Sequence, residues 1–196
     1  MAHPDLNTRI NNAFNQVARC LFMPASQQYY SQVDAPFPIG QGQTISQPST
    51  VKNMLTWLAP KQGQKVLDVG SGSGWSSALL SCLVGPDGEV FATERIIELK
   101  KFGEENCLRF GCDNVHFFMS QSQPGLAQYQ PFDRILVSAA APNSIPLSLI
   151  EQLAPDGKLV IPVANSIFEI QKNSGGDIEY TKEHSGYIFV PLIYDS

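Results

Sequence analysis

Leu6, Ile10, Phe14, Val17 and Leu21 recur at the spacing that gathers side chains on one helical face, and they predict an amphipathic helix from about Asp5 to Phe22. Val51, Met54, Leu55 and Leu58 share a second such face in a helix that starts at Ser49. Between the two, Met23 to Pro48 has no sustained period and carries prolines at 24, 36 and 38 among several Gln and Ser. A structureless stretch of this length inside a compact domain is usually a lid or binding loop. Beyond it the pattern becomes regular. Val66, Leu67 and Val69 form a first strand ending in glycines, and Ser76 to Leu83 a helix. Strand Glu89–Glu94, helix Ile96–Phe110 and strand Val115–Met119 follow, then a fourth strand from Phe132 and a helix from Ile145 to Leu153. Asp156-Gly157 reads as a turn before a fifth strand, Lys158–Val163. Phe168–Gln171, Ile178–Thr181 and Tyr187–Ile193 read as short closing strands, some of them antiparallel because no helix separates them. The expected architecture is α/β: a doubly wound, mostly parallel sheet with right-handed crossovers and a site at the strands' carboxyl ends.

With 196 residues, 43% hydrophobic and 16% charged, the chain suits one soluble globular domain. The net charge is -5 and the 13 Lys and Arg are scattered, which disfavours contact with nucleic acid phosphates. No apolar run approaches the roughly 20 residues that span a bilayer, and the start lacks a signal layout, so no membrane and a cytoplasmic location are expected. Cys20, Cys82, Cys107 and Cys112 contain no C-x-x-C pair and are expected as reduced or buried thiols. They build no metal site with the 3 histidines.

The chemistry starts at the glycine loop. Gly70, Gly72 and Gly74 read G-x-G-x-G, and Trp75 stands where a dinucleotide fingerprint would put its third glycine. With Asp68 two residues ahead, the loop Gly70-Ser71-Gly72-Ser73-Gly74 resembles that of S-adenosylmethionine-dependent methyltransferases. The alternative is a glycine-rich turn between packed elements. Glu94 ends the second strand, twenty positions past Gly74, where an acid accepts ribose hydroxyls; alternatively it caps the helix near Ile96.

A more specific string precedes that loop. Pro38-Ile-Gly-Gln-Gly-Gln-Thr-Ile-Ser-Gln-Pro48 resembles the signature of the protein-L-isoaspartate O-methyltransferases, which repair isomerised aspartyl and asparaginyl sites in damaged proteins. Ile10 to Met23, Phe132 to Pro142 and Tyr187 to Leu192 resemble the same family's N-terminal helix, fourth strand and final strand, so the resemblance spans nearly the whole chain. It implies a single Rossmann-like methyltransferase domain over 1–196, with 1–48 as N-terminal helix and lid and 49–196 as the S-adenosylmethionine-binding core. It implies Ser46 as the active-site serine that orients the substrate carboxylate. Ile39, Gln43, Thr44, Ile45 and Ser46 would bind substrate, and Thr44, Asp68, Gly70, Ser71, Gly72, Ser73, Gly74, Glu94 and Gln121 would bind the cofactor. Isoaspartyl proteins and peptides are the implied partners of a monomer. Where the family carries Gly-Asp-Gly after the third strand, this chain has Ser120-Gln121-Ser122, an uncharged acceptor for the adenine amino group; Ser49 replaces a bulkier residue. These departures leave room for a carboxyl methyltransferase redirected to another aspartyl peptide, or for a cofactor-binding homologue without repair activity. The absence of a Ser-His-Asp set fits either enzyme, since a carboxylate with a pKa near ~4 is already ionised at neutral pH and needs no base.

Overall fold

The computed structural model describes residues 4–194; residues 1–3 and 195–196, the ends of the expected 1–196 domain, lie outside the described residues. Among the described residues seven strands form one sheet, preceded in the chain by a separate hairpin. The hairpin pairs β1 (Phe37–Gly40) with β2 (Gln43–Ile45), antiparallel. The sheet comprises β3 (Lys65–Val69), β4 (Glu89–Glu94), β5 (Val115–Met119), β6 (Phe132–Val137), β7 (Leu153–Val163), β8 (Ser166–Lys172) and β9 (Ile178–Ser185), in the spatial order β5-β4-β3-β6-β7-β8-β9. β3 to β7 run parallel, and β8 and β9 close the sheet antiparallel, as expected where no helix intervenes.

Both faces of the parallel strands are buried, so alternate residues serve opposite cores. Val66 and Leu136 point to one cluster, shared with α1 (Leu6–Gln16), α2 (Pro48–Leu58), α3 (Trp75–Val84) and α4 (Ile97–Phe110). Leu67 and Val137 point to the other, closed by α5 (Leu147–Glu151) and its neighbours. The chain moves outward from β3 through β4 to β5, then returns to the far side of β3 as β6. Loops leaving β3 and β6 therefore part at the carboxyl end, the switch point where such sheets form their ligand crevice.

Five expected elements differ. The first helix stops at Gln16, because the Val17 carbonyl is taken by the Trp75 indole N–H (3.3 Å), and a 3-10 turn covers Arg19–Phe22. The stretch from Met23 to Pro48 is ordered: a 3-10 turn at Ala25–Tyr30 and the β1–β2 hairpin, which reverses through Gly40, Gln41 and Gly42, all at positive φ. α5 is shorter than expected, starting after Pro146, whose ring disfavours helical backbone at the preceding Ile145. Asp156-Gly157 is a left-handed irregularity inside β7, where the register against β6 shifts, and not a turn before a strand. Tyr187–Ile193 is no strand, since β9 already holds the sheet edge. It crosses the strand ends instead, joined to Ala140 by Ala140 N–H to Val190 O and Leu192 N–H to Ala140 O, both 2.8 Å.

Candidate active site

The glycine loop is built by its own backbone. Gly70, Gly72 and Gly74 all have positive φ, which glycine alone adopts without strain. The Gly70 and Ser71 amides donate to the Thr93 carbonyl (2.8 and 3.1 Å), which ties the end of β3 to the end of β4. Glu94 follows at once and is 6% exposed. Its Oε2 accepts from the Gly72 amide (3.1 Å) and its Oε1 from the Ile96 amide (2.9 Å). The Ile96 contact places Glu94 as a cap at the start of α4, and each carboxylate oxygen keeps a further lone pair.

Asp68 lies behind the loop, fully buried, and does not reach the cleft wall. Its Oδ2 accepts from the Ser76 and Ser77 hydroxyls (2.7 and 2.6 Å), while Oδ1 has no partner. Burial pushes its pKa up to about 6. It thus anchors the first turn of α3 under the loop. Gly74 is also off the wall: a Cβ there would meet the Gly103 carbonyl at 2.7 Å, so this glycine admits α4 against the loop.

The hairpin closes the cleft from above. Ile39, Gln43, Thr44, Ile45 and Ser46 line it opposite Gly70, Ser71, Gly72, Ser73 and Glu94. Ile39 reaches so far that its Cδ1 would lie 3.2 Å from a Cβ placed on Gly72. Ser120 joins the wall from the end of β5, but the exposed Gln121 points elsewhere, donating to Gln128 Oε1 (3.1 Å). Sequence reasoning did not single out Trp75, Ile96, Ser138, Ala139 or the tail Val190–Ile193, which complete the wall. Their signal was positional: each follows a strand's carboxyl end or belongs to the stretch expected as a final strand.

A second groove adjoins the first. It is lined by Pro36, Gln47, Ser49, Thr50, Asn53 and the segment from Ser185 to Val190, without a charged side chain among the described residues. Thr44, Ser46, Ser138 and Val190 belong to both spaces and form their junction. The tail that walls the groove is held by Asn53 Nδ2 donating to the Tyr187 hydroxyl (3.2 Å) and by Trp57 stacked on His184, 3.8 Å between ring centroids. The α2 N-terminus beside Ser46 is capped by Asp34, whose carboxylate accepts from the Ser49 amide (2.8 Å) and Gln47 Nε2 (3.0 Å), bonds that hold its pKa below the ordinary value.

The first cleft presents the Glu94 carboxylate, the glycine backbone and the Ser71 hydroxyl, a buried group without a partner. Among the described residues no helix is long and apolar enough to cross a membrane, and no group of three or more His, Cys, Asp or Glu could hold a metal ion.

Comparison with known proteins agrees with this geometry. A protein-L-isoaspartate O-methyltransferase of Pyrococcus horikoshii is 42% identical over 190 residues, covering 94% of this chain and 84% of that protein. One of Methanopyrus kandleri is 42% identical over 192 residues, covering 95% and 84%. A Plasmodium falciparum protein described as a protein-L-isoaspartate O-methyltransferase, crystallised with S-adenosyl-L-homocysteine, superposes with a TM-score of 0.83 at 28% identity, covering 94% of this chain and 90% of that one. The family profile "Protein-L-isoaspartate(D-aspartate) O-methyltransferase (PCMT)" matches residues 5–196, and the chain belongs to that family.

Proposed function

We infer that this protein methylates the free α-carboxylate of isoaspartyl residues in damaged proteins and peptides, with S-adenosyl-L-methionine as donor. The resulting ester then collapses to a succinimide outside the enzyme. The observation that carries this is the junction: Ser46 and Thr44 stand where the first cleft meets an adjoining groove without charged side chains. When bound, the cofactor supplies an electrophilic sulfonium methyl and leaves as neutral S-adenosylhomocysteine. Glu94 would accept the ribose hydroxyls, with the Gly70–Ser73 backbone along the rest of that ligand and Ile39 over it. Asp68 supports the loop from behind, and Gln121 stands outside the contact set.

The chain's task is alignment. No hydrogen bond among the described residues engages the Ser46 hydroxyl, which is therefore available to donate to a substrate carboxylate at the junction. An ionised carboxylate needs no base, so nothing in either space has to take a proton. Holding nucleophile and methyl together, and excluding water beneath the hairpin, can contribute roughly 7–11 kcal/mol. The lack of charge along the groove suits substrates of many sequences, because the backbone of an extended peptide can be met by amides and hydroxyls such as those of Gln47, Thr50 and Asn53.

A monomer made of one methyltransferase domain, with 1–48 as helix and lid and 49–196 as core, working in the cytoplasm away from nucleic acid, agrees with the scattered basic residues and the four free thiols. The test is methyl transfer to a short peptide containing isoaspartate beside the same peptide with aspartate. Transfer to the first alone is expected, and Ser46→Ala should lower kcat far more than cofactor affinity. Cofactor binding without transfer to the isoaspartyl peptide would instead mark a redirected or binding-only protein.

A further inference from the structure

Arg19 is the most deeply buried cation near the site, at 5% exposed, and it has no carboxylate partner within ion-pair distance among the described residues. A buried charge left unpaired is costly, so a fold retains one only where something offsets the loss of water. Here the offset comes from carbonyl dipoles. Arg19 Nη1 donates to Val33 O (3.1 Å) and weakly to Ser31 O (3.4 Å). Nη2 donates to Ala35 O (2.8 Å), Ser46 O (3.0 Å) and, at 3.4 Å, Ile45 O. Two aromatic rings hold the guanidinium, Phe37 at 5.6 Å and Trp75 at 5.4 Å from centroid to Cζ.

These contacts fall on three separate parts of the site. Residues 31–35 lead into the hairpin, and Phe37 opens β1. Ile45 and Ser46 end β2 at the junction of cleft and groove. Trp75 is the first residue of α3, next to the glycine loop, and lines the cofactor cleft. The turn carbonyls have no strand opposite them, and the planar fork stands in for that missing ladder. A lysine could not, because its single ammonium cannot span both groups of carbonyls.

We propose that Arg19 is a positioning residue for methyl transfer: its guanidinium fixes the Ser46 backbone, and with it the hydroxyl, in register with the glycine-loop helix through Trp75. The assignment rests on the isoaspartyl methyltransferase reading above. Arg19 touches neither cofactor nor substrate, since it lines neither space. Its loss should therefore misplace the carboxylate-orienting group while leaving the adenosine contacts in place.

The experiment uses the full chain and two variants, Arg19→Lys, which keeps the charge, and Arg19→Ala, which leaves a hole of guanidinium shape. For Arg19→Lys, kcat on an isoaspartyl peptide should fall about 10- to 100-fold, the scale of a displacement of roughly 1 Å at a reacting group. The dissociation constant for S-adenosylhomocysteine, measured by calorimetry, should change less than about threefold. Millimolar guanidinium or methylguanidinium should restore part of the kcat of Arg19→Ala and none of that of Ser46→Ala. Wild-type kcat in Arg19→Lys would overturn the proposal. So would a loss in which kcat, cofactor affinity and melting temperature fall together without guanidinium rescue, because that is a packing role. Should wild type itself leave the isoaspartyl peptide unmethylated while binding S-adenosylhomocysteine, the substrate reading fails, and Arg19 is then judged on the substrate that is methylated.

Discussion

Replacing Asp68 with Asn tests the support beneath the cofactor loop. The carboxyl group is fully buried, and desolvation raises its pKa from 3.8 to about 6, against the opposing effect of the hydrogen bonds from Ser77 and Ser76. Across the interval between those values the folded protein holds the proton more tightly than the unfolded chain does. Stability owed to this group is thus complete below about pH 4, falls as the pH rises through about 6, and is flat above that. Over an interval of about two pH units, at roughly 1.36 kcal/mol per pH unit, the loss amounts to about 3 kcal/mol. Asn cannot ionise, yet its amide oxygen can accept the same two serine hydroxyls. Its NH2 group, placed where Oδ1 now lacks a partner, costs about 1–3 kcal/mol at every pH alike. The difference in unfolding free energy, Asp68→Asn minus wild type, should therefore rise in favour of the variant by about 3 kcal/mol between pH 4 and 7. Urea unfolding at half-unit pH steps measures it, because titrations of the other carboxylates cancel in the difference. A difference that is constant with pH would show that Asp68 does not change its protonation on folding. A difference that moves in favour of wild type would show that the two serine hydrogen bonds outweigh burial, and either result would refute the reasoning.

Glu94→Ala removes the carboxylate proposed to accept the ribose hydroxyls and should weaken S-adenosylhomocysteine binding about 10- to 100-fold by calorimetry, as expected for hydrogen bonds to a charged group; equal affinity would take Glu94 out of the proposed contact set. Gln121→Asp would supply an acid at the position where the family carries one, yet the side chain faces Gln128 outside the cleft, so the dissociation constant should stay within about twofold of wild type. Tighter binding would mean that the loop turns inward when the cofactor arrives. Gly74→Ala must adopt φ near +84° with its Cβ 2.7 Å from the Gly103 carbonyl, and should cost roughly 3 kcal/mol or more in thermal or urea unfolding.

The parallel sheet was legible because its strands are short apolar runs bounded by turn residues, and β3, β4 and β6 are each followed by a helical pattern. Its closure was legible only in part. Tyr187–Ile193 has the composition of a strand, but whether such a stretch pairs depends on a free sheet edge, which no local pattern reveals. At the N-terminal end, helical spacing continued through Leu21 puts Leu21 inside and Arg19 outside, whereas the fold leaves Leu21 51% exposed and buries Arg19. The reversal follows from Trp75, fifty-eight residues away, taking the Val17 carbonyl and ending the helix early. Glycine spacing and the Glu94 position pointed to one wall of the first cleft, because both are fixed by neighbouring backbone. Asp68 and Gly74 belong to the same motif but act from behind it, a distinction that depends on α3 and α4 packing and not on spacing. The hairpin escaped notice because strands of 4 and 3 residues are too short to show alternation.

The four junction residues come from widely separated parts of the chain: Thr44 and Ser46 from the hairpin's end, Ser138 from the end of β6, and Val190 from the tail. Only the divergence of loops at β3 and β6 makes them neighbours, and Ala140 fixes the tail there by two backbone hydrogen bonds. Such an arrangement suits a reaction whose nucleophile is already charged. With no proton to remove, the barrier that protein can lower lies in bringing a carboxylate oxygen into line with a methyl group and in keeping water out. Both depend on how firmly the hairpin, the tail and the glycine loop are held against one another. This explains why the polar side chains buried around the cleft, Arg19, Asp68 and Glu94, spend their hydrogen bonds on backbone and on the first turn of α3.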